Sequence, residues 1–233
     1  MLKNNLKIIR DKIIHSAIVS NRDFKNIKLI AVSKTHPISS IMECIASDVT
    51  DFGENKAIEF RDKSELIKEK VNWHFIGHLQ TNKVKYVIKN AYCIHSVEST
   101  KLADEINKRA KQFDKIQNVL IEMNTSFEES KFGLNSYDEL CELLNKINDL
   151  ENVNPIGLMT MASFTDDEQT VRKSFIMLRE MRDKINNKYK SIRELSMGMT
   201  NDYTLAIEEG ATMLRVGTAI FNSRDVSLKW SDK

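Results

Sequence analysis

Cysteine is scarce in this chain of 233 residues. The three present, Cys44, Cys93 and Cys141, are odd in number, far apart and form no CxxC pair. That excludes a disulfide framework and a cysteine-built zinc cluster, and it points to a reducing, cytoplasmic setting. An excess of one charge is also lacking: 35 Lys+Arg stand against 33 Asp+Glu, a formal net charge of +2. This balance leaves no electrostatic footprint for nucleic acid or an anionic membrane, and neither is expected as a partner. No apolar run approaches transmembrane length. The start of the chain has no continuous apolar core of the kind a secretory signal needs. It places Leu2, Leu6, Ile9 and Ile13 at helical spacing, with Lys3, Lys7, Arg10 and Lys12 between them. That predicts an amphipathic helix over about residues 1–20. Asp11 and the shortage of Ser and Arg argue against a mitochondrial presequence. In the absence of a signal, the glycosylation-like triplet Asn124-Thr125-Ser126 carries no weight. Glycine and proline number only 7 and 2. No Pro/Gly/Ser linker interrupts the chain, and one domain over residues 1–233 is expected. There is no G-x-G-x-x-G and no Walker A pattern, so dinucleotide and nucleoside-triphosphate folds find no support. His74 and His78 stand four apart but fall on a strand and its following loop, without an HExxH glutamate. No metal site is expected there.

What is present is an alternation of strand-like and helix-like segments from end to end. Strands are predicted at 27–33, 49–53, 73–77, 92–97, 118–124, 154–161, 194–198 and 212–217. Between them lie amphipathic segments. One runs over 136–150, with Leu140, Leu143, Leu144 and Ile147 as its stripe and Ser136 with Glu139 as a capping box. Another covers 166–189, with Val171, Phe175, Leu178 and Ile185 on one side. A third covers 201–209 and ends at Gly210, a left-handed C-cap. Pro37 suits the first turn of a helix after Lys34. Alternating β and α implies a parallel sheet. Eight such strands predict an α/β fold, a single closed (β/α)8 barrel of the TIM type; an open doubly wound sheet is the alternative.

In a barrel, chemistry sits at the C-terminal ends of the strands. Lys34 closes the apolar run Leu29-Ile30-Ala31-Val32-Ser33-Lys34-Thr35. An amine at the mouth of a dry core loses part of its preference for the ammonium form. As a neutral nucleophile it can condense with an aldehyde to a Schiff base; the alternative is a lysine snorkelling at a strand end. The loops after strands seven and eight, the usual phosphate site of a barrel, read Ser196-Met197-Gly198-Met199-Thr200-Asn201-Asp202 and Arg215-Val216-Gly217-Thr218-Ala219. Each has a glycine that lets the backbone approach a ligand, and a threonine hydroxyl. The first leads into a helix whose N-terminus attracts an anion. The alternative is two ordinary glycine turns with Thr200 as an N-cap. A lysine and an anion cradle in one barrel mouth suit pyridoxal 5′-phosphate. The group facing the ring nitrogen then decides the chemistry. Arg215 is the residue available on strand eight, and a permanent cation leaves that nitrogen unprotonated and carbanion stabilisation weak.

These residues fall in blocks that resemble the YggS/PROSC family, the pyridoxal phosphate homeostasis proteins. The blocks are Ala31-Val32-Ser33-Lys34-Thr35, Phe52-Gly53-Glu54-Asn55 and Trp73-His74-Phe75-Ile76-Gly77-His78-Leu79-Gln80-Thr81-Asn82-Lys83. Asn124, Glu129-Ser130-Lys131-Phe132-Gly133 and Gly157-Leu158-Met159-Thr160-Met161 follow. Leu195-Ser196-Met197-Gly198-Met199-Thr200 and Arg215-Val216-Gly217-Thr218-Ala219-Ile220-Phe221 complete the set. The resemblance implies a barrel like the N-terminal domain of alanine racemase, with Lys34 holding pyridoxal 5′-phosphate as a Schiff base. It places Asn55 beside the ring and Arg215 at the ring nitrogen. It gives the phosphate to Ser196, Met199, Thr200, Gly217 and Thr218. Two departures stand near the end: Asn222 where the family often has glycine, and Val226 after Arg224-Asp225 where a tyrosine is frequent.

Two functions from different classes follow. A carrier binds pyridoxal phosphate reversibly and serves vitamin B6 and amino-acid homeostasis without robust turnover. An amino-acid racemase instead needs one base on each face of its substrate. Lys34 could serve one face. Related racemases take the other, a tyrosine, from a second β domain, and Tyr203, the tyrosine nearest a cofactor loop, lies within a predicted helix. The expectation is therefore a monomeric cytoplasmic carrier that can meet apo-enzymes. A Schiff-base aldolase acting on a sugar phosphate ranks last.

Overall fold

In a computed structural model, described over residues 1–222, the apolar runs become eight parallel strands. They are β1 (Lys28–Val32), β2 (Asp51–Glu54), β3 (Asn72–Phe75), β4 (Ala91–Val97), β5 (Gln117–Glu122), β6 (Val153–Met159), β7 (Glu194–Ser196) and β8 (Met213–Val216). Each pairs with the next, and β8 returns to β1 with Leu29 opposite Leu214 and Ala31 opposite Val216. The barrel is closed, which removes the open-sheet alternative. All the strands except β4 are shorter than the apolar runs suggest. In particular, Lys34 lies beyond β1, in a turn, and is not a strand residue.

The helices are α1 (Leu2–Val19), α2 (Ile38–Ile45), α3 (Ala57–Leu66), α4 (Val84–Val87), α5 (Thr100–Lys111), α6 (Tyr137–Asn148), α7 (Glu168–Asn186), α8 (Tyr203–Glu208) and α9 (Thr218–Phe221). Local chemistry explains where several begin and end. Ser136 Oγ accepts from Glu139 N at 3.1 Å at the start of α6, while Glu139 Oε2 accepts from Asn135 N at 2.8 Å. The return bond thus goes one residue before the cap, unlike a standard capping box. Asp167 caps α7 through Gln169 N at 3.1 Å. Pro37 is the N-cap of α2, one position before the first turn. After α8, Gly210 takes φ +103°. Its N–H reaches Ile207 O at 3.1 Å and that of Ala211 reaches Ala206 O at 2.8 Å, a Schellman end that needs glycine at this position.

α1 buries Leu2, Leu6, Ile9 and Ile13, as its spacing predicts, and packs on α8, α9 and α2 across the seam where β8 meets β1. Each fully buried aliphatic side chain contributes roughly 1.5–3 kcal/mol of transfer free energy. The main core lies between barrel and helices. Inside the barrel, Ile30, Cys93, Leu120, Met159 and Met213 form a second apolar cluster. Beside it run buried polar side chains, among them His74, His95, Ser196 and Arg215. Among the described residues, no helix is long and apolar enough to cross a membrane.

Candidate functional site

The turn that follows β1 presents Lys34, which is half-buried at the C-terminal mouth of the barrel. His36 N donates to Ser33 O at 3.0 Å, closing the turn, and Thr35 takes φ +67°. A β-branched residue in the left-handed region is strained, at a cost of order 1–3 kcal/mol. The strain is held by a buried cluster. Thr35 N donates to Glu59 Oε1 at 2.5 Å. Lys63 Nζ donates to Ser33 O at 2.7 Å, Glu54 Oε1 at 2.8 Å and Glu59 Oε1 at 2.7 Å. Ser33 Oγ adds a bond to Glu54 Oε1 at 2.7 Å. Glu54, Glu59 and Lys63 come from the end of β2 and one face of α3, and Glu54 and Lys63 are wholly buried. Burial pushes the Glu54 carboxyl up despite the lysine beside it. The residues on both sides of Lys34 are therefore fixed by one ion cluster.

Two strands away round the barrel wall from β2, β8 carries Arg215, which is 4% exposed. Its Nη1 donates to Ser196 Oγ at 2.6 Å and its Nη2 to Thr160 O at 2.8 Å. Burial lowers its pKa to about 10, with Asp202 and Glu122 opposing, so it stays charged at neutral pH. Glu122 ends β5. Burial, reinforced by Glu98, pushes its carboxyl up to about 7 against the pull of Arg215. Nearby, Glu98 pairs with His78 Nδ1 at 3.3 Å and accepts from Gly133 N at 3.0 Å, and His78 stacks on Phe132 at 3.8 Å between ring centroids.

Of the residues expected at the site, Lys34, Asn55, Met199, Thr200, Arg215, Gly217 and Thr218 all lie at or just beyond the C-terminal ends of strands. Asn55 follows β2, and its Oδ1 is buried with no hydrogen-bond partner among the described residues. The two glycine loops meet: Ala219 N donates to Thr200 Oγ1 at 3.4 Å. Gly198 takes φ +93°, and a Cβ there would stand 2.6 Å from Ala206 Cβ, so the loop comes this close to α8 only as glycine. Thr200 does not cap α8; Asp202 holds that position and accepts from Met199 N at 2.5 Å. Ser196 differs from expectation. Its hydroxyl, expected on the phosphate, faces the barrel interior and is engaged by Arg215 and His95. His36 stacks on Phe221 at 4.7 Å between centroids, tying the Lys34 turn to α9. Asn222 takes φ +66°, which explains why glycine is frequent there in the resembling family; Arg224, Asp225 and Val226 lie outside the described residues.

His78 does not join His74 in a metal pair. His74 instead turns into the barrel, where donor atoms of His74, Cys93 and His95 lie within 4.8 Å of one another. The imidazoles bond to each other at 2.9 Å, and their outer nitrogens bond to Asp51 and Ser196. The sequence reading missed Glu59, Lys63, Asp51, His95 and Glu122. The i,i+4 pairing of Glu59 with Lys63 was the one visible signal.

Three comparisons complete the picture. The family model described as alanine racemase, N-terminal domain, matches residues 2–225. The chain is 44% identical over 199 residues to the pyridoxal phosphate homeostasis protein of Aquifex aeolicus, covering 84% of this chain and 87% of that relative. PipY of Synechococcus elongatus, solved with PLP bound, superposes with TM-score 0.80 at 28% identity, covering 95% of this chain and 100% of PipY. An alanine racemase of Clostridium difficile superposes with TM-score 0.72 at 17% identity, covering 98% of this chain and 62% of the racemase, a likeness of fold.

Proposed function

The chain belongs to the pyridoxal phosphate homeostasis proteins, built on the alanine racemase N-terminal domain, and from that membership we propose that it holds pyridoxal 5′-phosphate as a Schiff base on Lys34. The observation that carries this reading is Arg215. A permanently charged guanidinium is buried at the end of β8, anchored on Ser196 and Thr160, on the strand that pairs with the one leading to Lys34. The residues present fit the cofactor. The buried, unpartnered Oδ1 of Asn55 fits a bound group at the mouth. The close approach of Gly198 to α8 and the bond between Thr200 and Ala219 N shape two backbone loops into an anion cradle. Met199, Thr200, Gly217 and Thr218 hold the phosphate, while the Ser196 hydroxyl serves Arg215. That PipY has been solved with PLP bound supports the same reading for this chain.

The cofactor supplies an aldehyde that an amine can capture and release. Arg215 at the ring nitrogen, where a carboxylate would make a strong electron sink, favours holding over turnover. Tyr203 is buried at the start of α8 and unsuited to act as a second base. The protein is then a cytoplasmic, monomeric carrier that buffers pyridoxal phosphate and passes it to apo-enzymes, with no nucleic acid or membrane partner. The test is the visible absorption spectrum of the protein with pyridoxal phosphate, beside Lys34→Ala and after borohydride. The expected result is a band that is reducible in the wild type and absent in the variant. No band in the wild type would refute cofactor binding, and robust alanine or serine racemisation would refute the carrier.

A further inference from the structure

The barrel interior contains an unbroken line of polar contacts from one end to the other. Arg215 Nη1 meets Ser196 Oγ at 2.6 Å, and Ser196 Oγ meets His95 Nδ1 at 2.9 Å. His95 Nε2 meets His74 Nδ1 at 2.9 Å, and His74 Nε2 meets Asp51 Oδ1 at 3.0 Å. The line starts on the first residue of β2, climbs through β3 and β4, and crosses to β7 and β8. Ser196, His74 and His95 are wholly buried.

Its polarity is dictated by its ends. An aspartate carboxylate only accepts, so His74 carries its proton on Nε2. Both imidazoles are neutral, because burial lowers the pKa of His74 and, more strongly, that of His95. His74 Nδ1 must then accept, so His95 is protonated on Nε2 and its Nδ1 must accept in turn. The Ser196 hydroxyl gives its one proton to His95 and receives from Arg215, which cannot accept. Five side chains thus have one consistent arrangement of protons.

The lower end is anchored by hydrogen bonds and charge. Asp51 also accepts from Thr50 Oγ1 at 2.7 Å and Asn72 Nδ2 at 3.1 Å, and stands 3.6 Å from Lys28 Nζ. The bonds from His74 and Thr50, with Lys28 adding, outweigh burial and hold its carboxyl down at about 2. Lys28, Thr50 and Asp51 line a cavity of about 660 Å³ at the N-terminal ends of the strands.

We propose that Asp51, His74, His95 and Ser196 are positioning residues for Arg215: one directed hydrogen-bond chain through the barrel that fixes the guanidinium facing the cofactor's ring nitrogen. Its role toward the cofactor rests on the function proposed above; its proton order does not. The chain engages Nη1 on Ser196 while Nη2 donates to Thr160 O at 2.8 Å, so the guanidinium is held at both ends of its fork. It also sets a fixed negative charge behind the cation, at the far end of polarisable groups.

The experiment has two arms on the full chain. In the first, long-range proton–nitrogen NMR of the 15N-labelled, cofactor-free protein at about pH 7 reads the imidazole tautomers. Both histidines should carry the proton on Nε2, and Ser196→Ala should shift the His95 Nδ1 resonance. The second arm titrates pyridoxal phosphate into wild type, Ser196→Ala, His95→Leu and Ser196→Thr, reading the absorption maximum and the Kd. Ser196→Ala and His95→Leu should weaken binding by about tenfold or more, the loss of a hydrogen bond supporting a charged group, and should displace the absorption maximum. Ser196→Thr, which keeps the hydroxyl, should restore both. A proton on Nδ1 of either histidine would overturn the proposal even if no variant folds. An unchanged maximum and Kd in Ser196→Ala would overturn it as well. A wild type that takes up no pyridoxal phosphate would instead refute the function, and with it the role of the chain, leaving only its proton order to stand.

Discussion

Lys63→Met should be among the most damaging single changes at a residue that never touches the cofactor. Lys63 is wholly buried and gives three hydrogen bonds of 2.7–2.8 Å, to Ser33 O, Glu54 Oε1 and Glu59 Oε1. Methionine fills a similar volume, so the packing loss is small and the electrostatic loss dominates. Two carboxylates are left facing each other without their cation. Removing one partner of a buried ion pair costs about 3–5 kcal/mol. A domain's whole stability is about 5–15 kcal/mol, so roughly a fifth or more of it is at stake. Urea unfolding at about pH 7 measures this directly. The loss should shrink at about pH 5, where the stranded Glu54 carboxyl, pushed up by burial, is protonated. Adding Glu54→Gln and Glu59→Gln to Lys63→Met should recover much of it, since neutral amides need no counter-charge. A second effect is functional. Without Lys63 the Ser33 carbonyl loses its anchor, the strained Thr35 relaxes, and Lys34 loses its fixed position, so uptake of pyridoxal phosphate should weaken in the triple variant even where stability returns. A loss below about 1 kcal/mol for Lys63→Met, the range of an exposed ion pair, would refute the view that this cluster holds the Lys34 turn.

Two further outcomes follow from the same geometry. Glu122 has its carboxyl raised to about 7, so the stability it contributes as a neutral group is present below the unfolded-state value of about 4.3 and is lost as pH rises to about 7. Glu122→Gln should therefore stabilise the protein by about 2–3 kcal/mol near pH 8 and by almost nothing below about pH 4, and equal effects at both pH values would contradict the assignment. Gly198→Ala would place a methyl 2.6 Å from Ala206 Cβ at φ +93°, so it should cost roughly 1–3 kcal/mol in thermal or urea unfolding and weaken cofactor uptake, and a neutral substitution would mean the loop is not held against α8 as described.

Much of the architecture was legible before any coordinates. Apolar runs such as Leu29-Ile30-Ala31-Val32 and Val119-Leu120-Ile121 mark strands buried on both faces, and the stripe of Leu140, Leu143, Leu144 and Ile147 marks the inner face of α6. Ser136 and Gly210 mark helix ends, because capping is decided by chemistry within three or four residues. The placement of Lys34, Asn55 and Arg215 at the C-terminal ends of strands was legible from the strand pattern, and barrel chemistry gathers at those ends.

The rest was decided by tertiary structure, for a common reason: it depends on which face a polar residue turns, and on partners far away in the chain. Glu59 and Lys63 drew no attention in the sequence, yet that face of α3 lies against the end of β2 and the turn after β1, and burial there makes the pair the clamp beside Lys34. The spacing of His74 and His78 set aside a shared metal site but did not say where each side chain turns; one goes into the barrel and the other onto Phe132. Ser196 read as a phosphate ligand, yet closure of the barrel brings it onto Arg215 and His95, 101 residues away. Periodicity reports how a residue sits on its own element. The proton order from Asp51 to Arg215 exists only because eight strands close a ring and bring those side chains within hydrogen-bond reach of one another.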